Sequence, residues 1–447
     1  MNDYKRFIET KHKLPESFGF DVSESHFPAS YFKPFQAASC RFAVRRGRAA
    51  LFAGTGLGKT RMQLGIGQAW LDHGGANRVL LLAPLGVTRQ TVNEGKKIGI
   101  DVTPCRSQED VSGGLNITNY EMLHAFDASQ FDGVILDESS ILKSFMGATK
   151  RKLCEAFSHT RYRLVCTATP SPNDHLELGN QAEFLGIMPA NEMICRWFIN
   201  NTMEAGDYRL KGHAAADFWR WMASWALCIG KPSDIGFDDD GYILPPLTIA
   251  THVVDDCELP PAEGMLFHMP ELSATNIHKE LKATKEARAA NVSERVNSHK
   301  EPHLVWCYTD YDADELTARI PDAVEIRGSM PVKLKEDRLA AFTDGSIRTL
   351  VTKPTVAGFG LNWQHCNVAD FAGLTYSMES FYQAMRRIYR FGQSRPVTGN
   401  VVCSQTELAL METIQRKESL HNEMFREMAS AMKDSMLENL GQRKLMY

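Results

Sequence analysis

Residues Ala49 to Thr60 read AALFAGTGLGKT, a short apolar run that passes directly into a glycine-spaced loop ending in Gly-Lys-Thr. Gly54, Gly56 and Gly58 let the backbone wrap closely round a phosphate chain and turn its amide hydrogens and the next helix N-terminus towards it. In such a loop Lys59 reaches the β- and γ-phosphates and the Thr60 hydroxyl serves Mg²⁺. The helical stretch RMQLGIGQAWL (61–71) follows, which completes a strand–loop–helix context. The nucleotide-binding set read here is Gly54, Thr55, Gly56, Leu57, Gly58, Lys59 and Thr60. Ala53 stands at the first position, where the usual pattern has Gly.

Around this loop lie further short apolar runs bounded by turn or polar residues: RVLLLAP (78–84), GLNITNY (114–120), GVILDES (133–139) and YRLVCTAT (162–169). They read as buried parallel strands with helices between them, an open α/β sheet with its ligand site at the strands' C-terminal ends. A second series follows near residue 300: HLVWCYT (303–309), AVEIRG (323–328), RTLVTK (348–353), NVADFAG (367–373) and GNVVC (399–403). The fold class is therefore α/β, with a first lobe over 1–190 and a second over 301–405. Residues 191–300 read as an irregular, helical insert and linker, and 406–447 as a helical tail. The insert holds DFWRWMASWALC (217–228), which suits a packed helix or an aromatic platform for unpaired bases, and an extended piece marked by proline, LPPLTIATHVVD (244–255). Met411, Ile414, Leu420, Met424, Phe425 and Met428 of the tail read as packing residues.

Three further sites complete a nucleotide-handling set. Asp137 and Glu138 end the GVIL strand: Asp137 would hold Mg²⁺ through water, and Glu138 would orient and deprotonate an attacking water. QAMRRIYRFGQ (383–393) spaces Gln383, Arg387 and Arg390 by four and three, which puts them on one face of a helix. An amide and two arginines suit a triphosphate, so one nucleotide is expected between the two lobes. Upstream, Gln36 in YFKPFQ (31–36) is spaced to meet an adenine edge, with Tyr31, Phe32 or Phe35 to stack on the base.

The order of these segments resembles the superfamily-two helicases and, within them, the Swi/Snf-like DNA translocases. KPFQ is similar to the adenine segment and AGTGLGKT to the phosphate loop. LLLAPLGVTRQ (80–90) and ITNYEML (117–123) resemble nucleic-acid-contact segments, VILDESS the Mg²⁺ segment and TATPSPN (167–173) the coupling segment. KPTVAGFGLNWQ (353–364) resembles the AGGxGLN element, and QAMRRIYRFGQ the QxxxRxxRxGQ ending. The likeness spans roughly residues 30 to 420 and is weak over 190–300. It implies two RecA-like lobes with ATP and Mg²⁺ in the cleft between them, and a catalytic set of Lys59, Asp137, Glu138, Gln383, Arg387 and Arg390, the two arginines acting as fingers. It implies coupling through Thr167, Thr169, Gly358 and Gly360. Nucleic-acid contact is read at Pro84, Thr88, Arg89, Thr118 and Asn119, and at Arg327, Lys353, Thr355 and Asn362, which follow the strands of the two lobes. DESS replaces the more usual DEAH, and LTYSMESFY (374–382) stands where a Trp-x-Pro element is often found. Compact chains of this kind are similar to bacteriophage or prophage helicases.

Composition narrows the class. A net charge of −4 argues against a protein that coats nucleic acid by overall charge, and leaves a local basic cleft open. The ten cysteines form no CxxC pair and no Cys/His cluster, as expected of reduced thiols in a cytosol, a bacterial host's if the chain is phage-encoded. No apolar run is long enough to span a membrane. The expected activity is an ATP-dependent DNA helicase or translocase, with DNA ahead of RNA as partner and replication or recombination proteins as candidate protein partners. The alternatives are a nucleic-acid-binding scaffold that ATP switches with little turnover, or an RNA helicase, which dependence on 2′-hydroxyls would reveal.

Overall fold

The computed structural model describes residues 17–84, 87–144, 146–200, 208–254, 281–357, 361–374, 377–405 and 407–439. The chain divides into two compact units, residues 1–239 with 420–447 and residues 240–419.

In the first unit the apolar runs become strands β1 (Arg48–Ala53), β2 (Arg78–Ala83), β3 (Val102–Pro104), β4 (Gly114–Asn119), β5 (Gly133–Asp137) and β6 (Tyr162–Thr167). A small antiparallel hairpin follows, β7 (Phe198–Asn200) with β8 (Tyr208–Leu210), and then β9 (Ala226–Ile229). The sheet order is β3-β4-β2-β5-β6-β1-β9, with every pairing parallel. Every residue of β5 and β6 is buried, as sheets covered by helices on both faces require.

Strand β9 departs from the sequence reading, which carried one helix through 217–228. The helix ends at Trp225, and Ala226 turns extended (φ −117, ψ 134). The cause is β1, whose outer edge is buried and would leave its amides and carbonyls unpaired. Ala226 to Ile229 supply the partners in register with Ala50 to Ala53. The aromatic helix itself (Ala215–Trp225) is core: Phe218, Trp219, Trp221 and Trp225 are all buried, with the Trp197 and Trp221 rings 4.6 Å apart. Buried rings offer no platform for bases, so the packed-helix alternative describes this segment.

The second unit holds β10 (Leu247–Val253), β11 (His303–Trp306), β12 (Ala323–Ile326), β13 (Thr349–Thr352), β14 (Val368–Ala372) and β15 (Val397–Cys403). They form a second all-parallel sheet, ordered β10-β15-β14-β11-β13-β12. The extended piece behind Pro245 and Pro246 is β10, the outer strand that runs alongside β15 from Leu247↔Val397 to Val253↔Cys403. Prolines just before a strand suit an edge, where no inner ladder needs their missing amides. Trp306, Phe342, Trp363 and Phe371 fill the core below the sheet. Two wound parallel sheets are thus present, the α/β class expected.

The helix Leu408–Asn439 realises the tail. Met411 and Ile414 enter the core of the second unit, and Met424 and Met428 that of the first. Leu420 is half-buried, and Phe425 packs beside Met424 and Met428.

Candidate nucleotide and nucleic-acid site

In a parallel sheet all C-terminal strand ends share one edge. In the first unit that edge collects the loop after β1, Pro84 after β2, Asn119 at the end of β4, Asp137 and Glu138 at β5, and Thr167 at β6.

The loop after β1 is held from three sides. The Gly54 amide donates to the Ile229 carbonyl at 2.8 Å, so β9 carries the sheet into the loop. Gln36 Nε2 donates to the Leu57 carbonyl at 2.8 Å, and Lys59 Nζ to the Ala53 carbonyl at 3.0 Å. Gly56 and Gly58 sit at φ 90 and φ 82, left-handed values that favour glycine. A Cβ on Gly58 would also come within 2.4 Å of Gln36 Nε2. Thr55 is buried and its hydroxyl has no partner, while Thr60 is half-buried in the first helical turn. Left-handed glycines, a helix start, an unpaired buried hydroxyl and one ammonium make a donor set that fits a magnesium-bound phosphate chain. Among the described residues no three His, Cys, Asp or Glu side chains gather as metal ligands. The candidate protein contacts for Mg²⁺ are those of the motifs, Thr60 in the first turn after the loop and Asp137 at the end of β5.

Gln36 is placed differently from a free adenine reader. Its Oε1 accepts from the Lys33 amide at 2.9 Å and caps the helix Pro34–Arg46, so its carboxamide already bridges that helix and the loop. Phe32 and Phe35 are buried; of the three aromatics only Tyr31, 41% exposed, has a free face for a base.

Asp137 is buried and accepts from Gln63 Nε2 at 2.7 Å. Burial pushes its carboxyl above the usual range, against Gln63 and Lys59, which pull it down. Gln63, one helical turn beyond Thr60, was missed in the sequence; its spacing from Thr60 was the available signal. Glu138 is the one non-glycine residue at positive φ among the described residues (φ 50, ψ 55). Its carboxylate accepts from the Thr167 hydroxyl at 3.2 Å, and that hydroxyl accepts from the Thr169 amide at 3.0 Å. Ser139 and Ser140 are buried, and Gln181 Nε2 donates to the Ser139 carbonyl at 3.0 Å, so the DESS serines sit beneath the turn. Thr167 thus joins Glu138 directly and Thr169 only through the Thr167 hydroxyl; Gly358 and Gly360 lie outside the described residues.

Beyond this segment, Asn173 donates to Glu177 from its amide at 3.1 Å and from Nδ2 at 2.5 Å. Burial nevertheless pushes the Glu177 carboxyl up to about 7. A carboxyl raised on folding stabilises fully below its unfolded value and loses that contribution as pH rises through the folded one. Glu177→Gln should therefore stabilise the first unit at pH 8 by about 1–3 kcal/mol and have little effect at pH 5. Thermal melts at both values check this; equal shifts at the two pH values would contradict it.

The nucleic-acid candidates occupy mixed settings. Arg89 is exposed, Pro84 and Thr88 are half-buried, and Thr118 is buried with its hydroxyl unpartnered. Asn119 Oδ1 accepts from the Met122 amide at 3.1 Å. In the second unit Arg327 follows β12, Lys353 follows β13, Thr355 lies in the short helix Pro354–Ala357, and Asn362 is exposed in the next segment. Both cations are paired: Arg327 with Glu325 and Asp314, and Lys353 with Asp310 at 2.8 Å.

Gln383, Arg387 and Arg390 do not share one helix. The helix Met378–Met385 ends before the arginines, and Arg387 and Ile388 continue it as turns whose amides donate to Ala384 and Met385. Past the helix end the Leu361 carbonyl accepts from Nη1 of Arg387 and of Arg390, each at 3.0 Å. Arg387 also donates to the Gln383 carbonyl at 3.0 Å and to Gln383 Oε1 at 3.1 Å. Gln393 closes the motif by donating to the carbonyls of Gln364 and Cys366, both at 3.0 Å. The two arginines differ: Arg387 is 3% exposed and fully engaged, whereas Arg390 has a buried Nε without a partner and a guanidinium that burial disfavours. A desolvated, partly unsatisfied cation is suited to receiving an anion.

Residues 273–392 match the family model of the helicase conserved C-terminal domain. This segment resembles a helicase C-terminal domain. It contains Arg327, Lys353, Thr355, Asn362, Gln383, Arg387 and Arg390, and the match closes at Gly392 of the RxGQ ending. The helicase recognition made from the motifs holds over it. The Sulfolobus solfataricus SWI2/SNF2 ATPase core in complex with dsDNA is similar at 14% identity, over 97% of this chain and 100% of that one, with a TM-score of 0.43. No curated protein matches the chain. Among the described residues no helix is long and apolar enough to cross a membrane.

Proposed function

We propose that the chain is an ATP hydrolase of the Swi/Snf-like helicase branch, stimulated by DNA and coupling hydrolysis to movement along it. The observation that carries the reading is Glu138: a carboxylate on a left-handed backbone, held by Thr167 of the coupling segment, on the sheet edge that also presents the phosphate loop. Non-glycine residues persist in that conformation where the surroundings impose it, which happens most often at functional sites.

The loop amides after β1 and Lys59 bind the phosphates, and the Gln36 and Ile229 contacts keep the loop in shape. Mg²⁺, when bound, draws charge from the phosphate oxygens. Thr60 and Asp137 are the residues that would hold it, and Gln63 fixes one Asp137 oxygen. Glu138 orients a water and takes its proton. Arg387 and Arg390 keep the charge-neutralising role that their motif implies, with Arg390 as the anion-receiving member. Thr88, Arg89 and Asn119, with Arg327, Lys353, Thr355 and Asn362, contact the phosphates of the strand, which gives binding with little sequence preference. The Swi/Snf-like ending favours DNA over RNA. Steady-state phosphate release with and without duplex DNA tests the reading, and Lys59→Ala should bring it to background.

A further inference from the structure

Tyr120 follows Asn119 directly, in the segment ITNYEML that the proposed function gives to nucleic acid. Its hydroxyl donates to the main-chain carbonyl of Asp137 at 2.6 Å, a short contact for a hydroxyl on a carbonyl. That carbonyl belongs to the peptide joining Asp137 to Glu138. A force on its oxygen rotates the peptide plane, and so alters ψ of Asp137 and φ of Glu138.

Glu138 is thus held at two points. Thr167 of the coupling segment holds its carboxylate, and Tyr120 holds the peptide before it. At the other end of the contact, the Asn119 side chain accepts from the Met122 amide and closes the short turn Tyr120–Ala125. Asn119 and the Tyr120 ring therefore move as parts of one turn. The Thr118 hydroxyl next to them is buried and unpartnered.

We infer that Tyr120 is a positioning residue that transmits occupancy of the Thr118–Asn119 segment by a nucleic-acid strand to the backbone angle of Glu138. The inference rests on the proposed function, since it needs hydrolysis that nucleic acid stimulates. Tyr120 touches neither nucleotide nor strand in this scheme. It acts through the Asp137 carbonyl, and the element it biases is the left-handed turn at Glu138.

Tyr120→Phe removes the hydroxyl and keeps the ring, which packs against the core of the first unit. ATP hydrolysis would be titrated with duplex DNA, DNA affinity measured by fluorescence anisotropy, and the melting temperature recorded. The expected result is a stimulated-to-basal ratio reduced by about tenfold or more, with a DNA dissociation constant within about threefold of the parent chain. A merely structural tyrosine would lower the melting temperature and leave the ratio intact, and that outcome overturns the inference while the proposed function stands. A loss of DNA affinity that matches the loss of rate overturns it in favour of direct contact. Absence of any stimulation in the parent chain overturns both.

Discussion

Glu138→Gln is expected to bind nucleotide and fail to hydrolyse it. The carboxamide has the size of the carboxylate, and its oxygen still accepts from the Thr167 hydroxyl, so the left-handed turn keeps its lower hold. What disappears is the capacity to take a proton from water. General-base catalysis contributes roughly 10²- to 10⁴-fold, and the rate of phosphate release in a single turnover should fall by about that factor. Nucleotide affinity depends on the amides after β1 and on Lys59, and should stay within about threefold. Direct binding of a fluorescent ATP analogue separates the two quantities. A single-turnover rate within about tenfold of the parent chain would show that another group is the base.

The two arginines should separate just as clearly. Arg390→Ala removes a half-buried cation whose Nε has no partner, and one hydrogen bond to the Leu361 carbonyl. Arginines that neutralise a transferring phosphoryl group are worth about 10³- to 10⁵-fold, so turnover should drop by roughly 10³ or more with little change in melting temperature. Arg387→Ala instead empties a buried position that ties Gln383 to Leu361. Each buried acceptor left unpaired costs about 1–3 kcal/mol, which should lower the melting of the second unit by about 5 °C or more. Paired turnover and melting curves for both variants check the assignment. Equal melting losses in the two would contradict the division of roles drawn from their hydrogen bonds.

The strands around the phosphate loop were legible because a buried parallel strand is a continuous apolar run, and RVLLLAP or GVILD admits few other readings. The glycines of the loop were legible for a different reason: their spacing is set by the phosphates. β9 was hidden because ALCI follows an aromatic helical pattern without a break, and its extension is imposed by the unpaired edge of β1. β10 was visible as an extended piece, but its sheet depends on a partner, β15, that lies far along the chain. The four- and three-residue spacing of Gln383, Arg387 and Arg390 suggested one helix face, but the helix ends at Met385 and both arginines lie beyond it, sharing the Leu361 carbonyl. Of the residues that position others, Gln63 carries no motif, and Tyr120 lies within ITNYEML without a role that the segment reveals. Their partners are a carboxylate and a main-chain oxygen that only folding brings near.

The central claim is hydrolysis of ATP that DNA accelerates. Steady-state phosphate release should be measured without nucleic acid and with single-stranded DNA, duplex DNA and RNA, each beside Lys59→Ala. The expected result is a low basal rate that rises about tenfold or more with DNA, falls back as salt strips phosphate contacts, and vanishes in Lys59→Ala. Stimulation by RNA alone would move the activity to another branch. A negligible rate in every lane would contradict the account and leave a nucleic-acid-binding scaffold in its place.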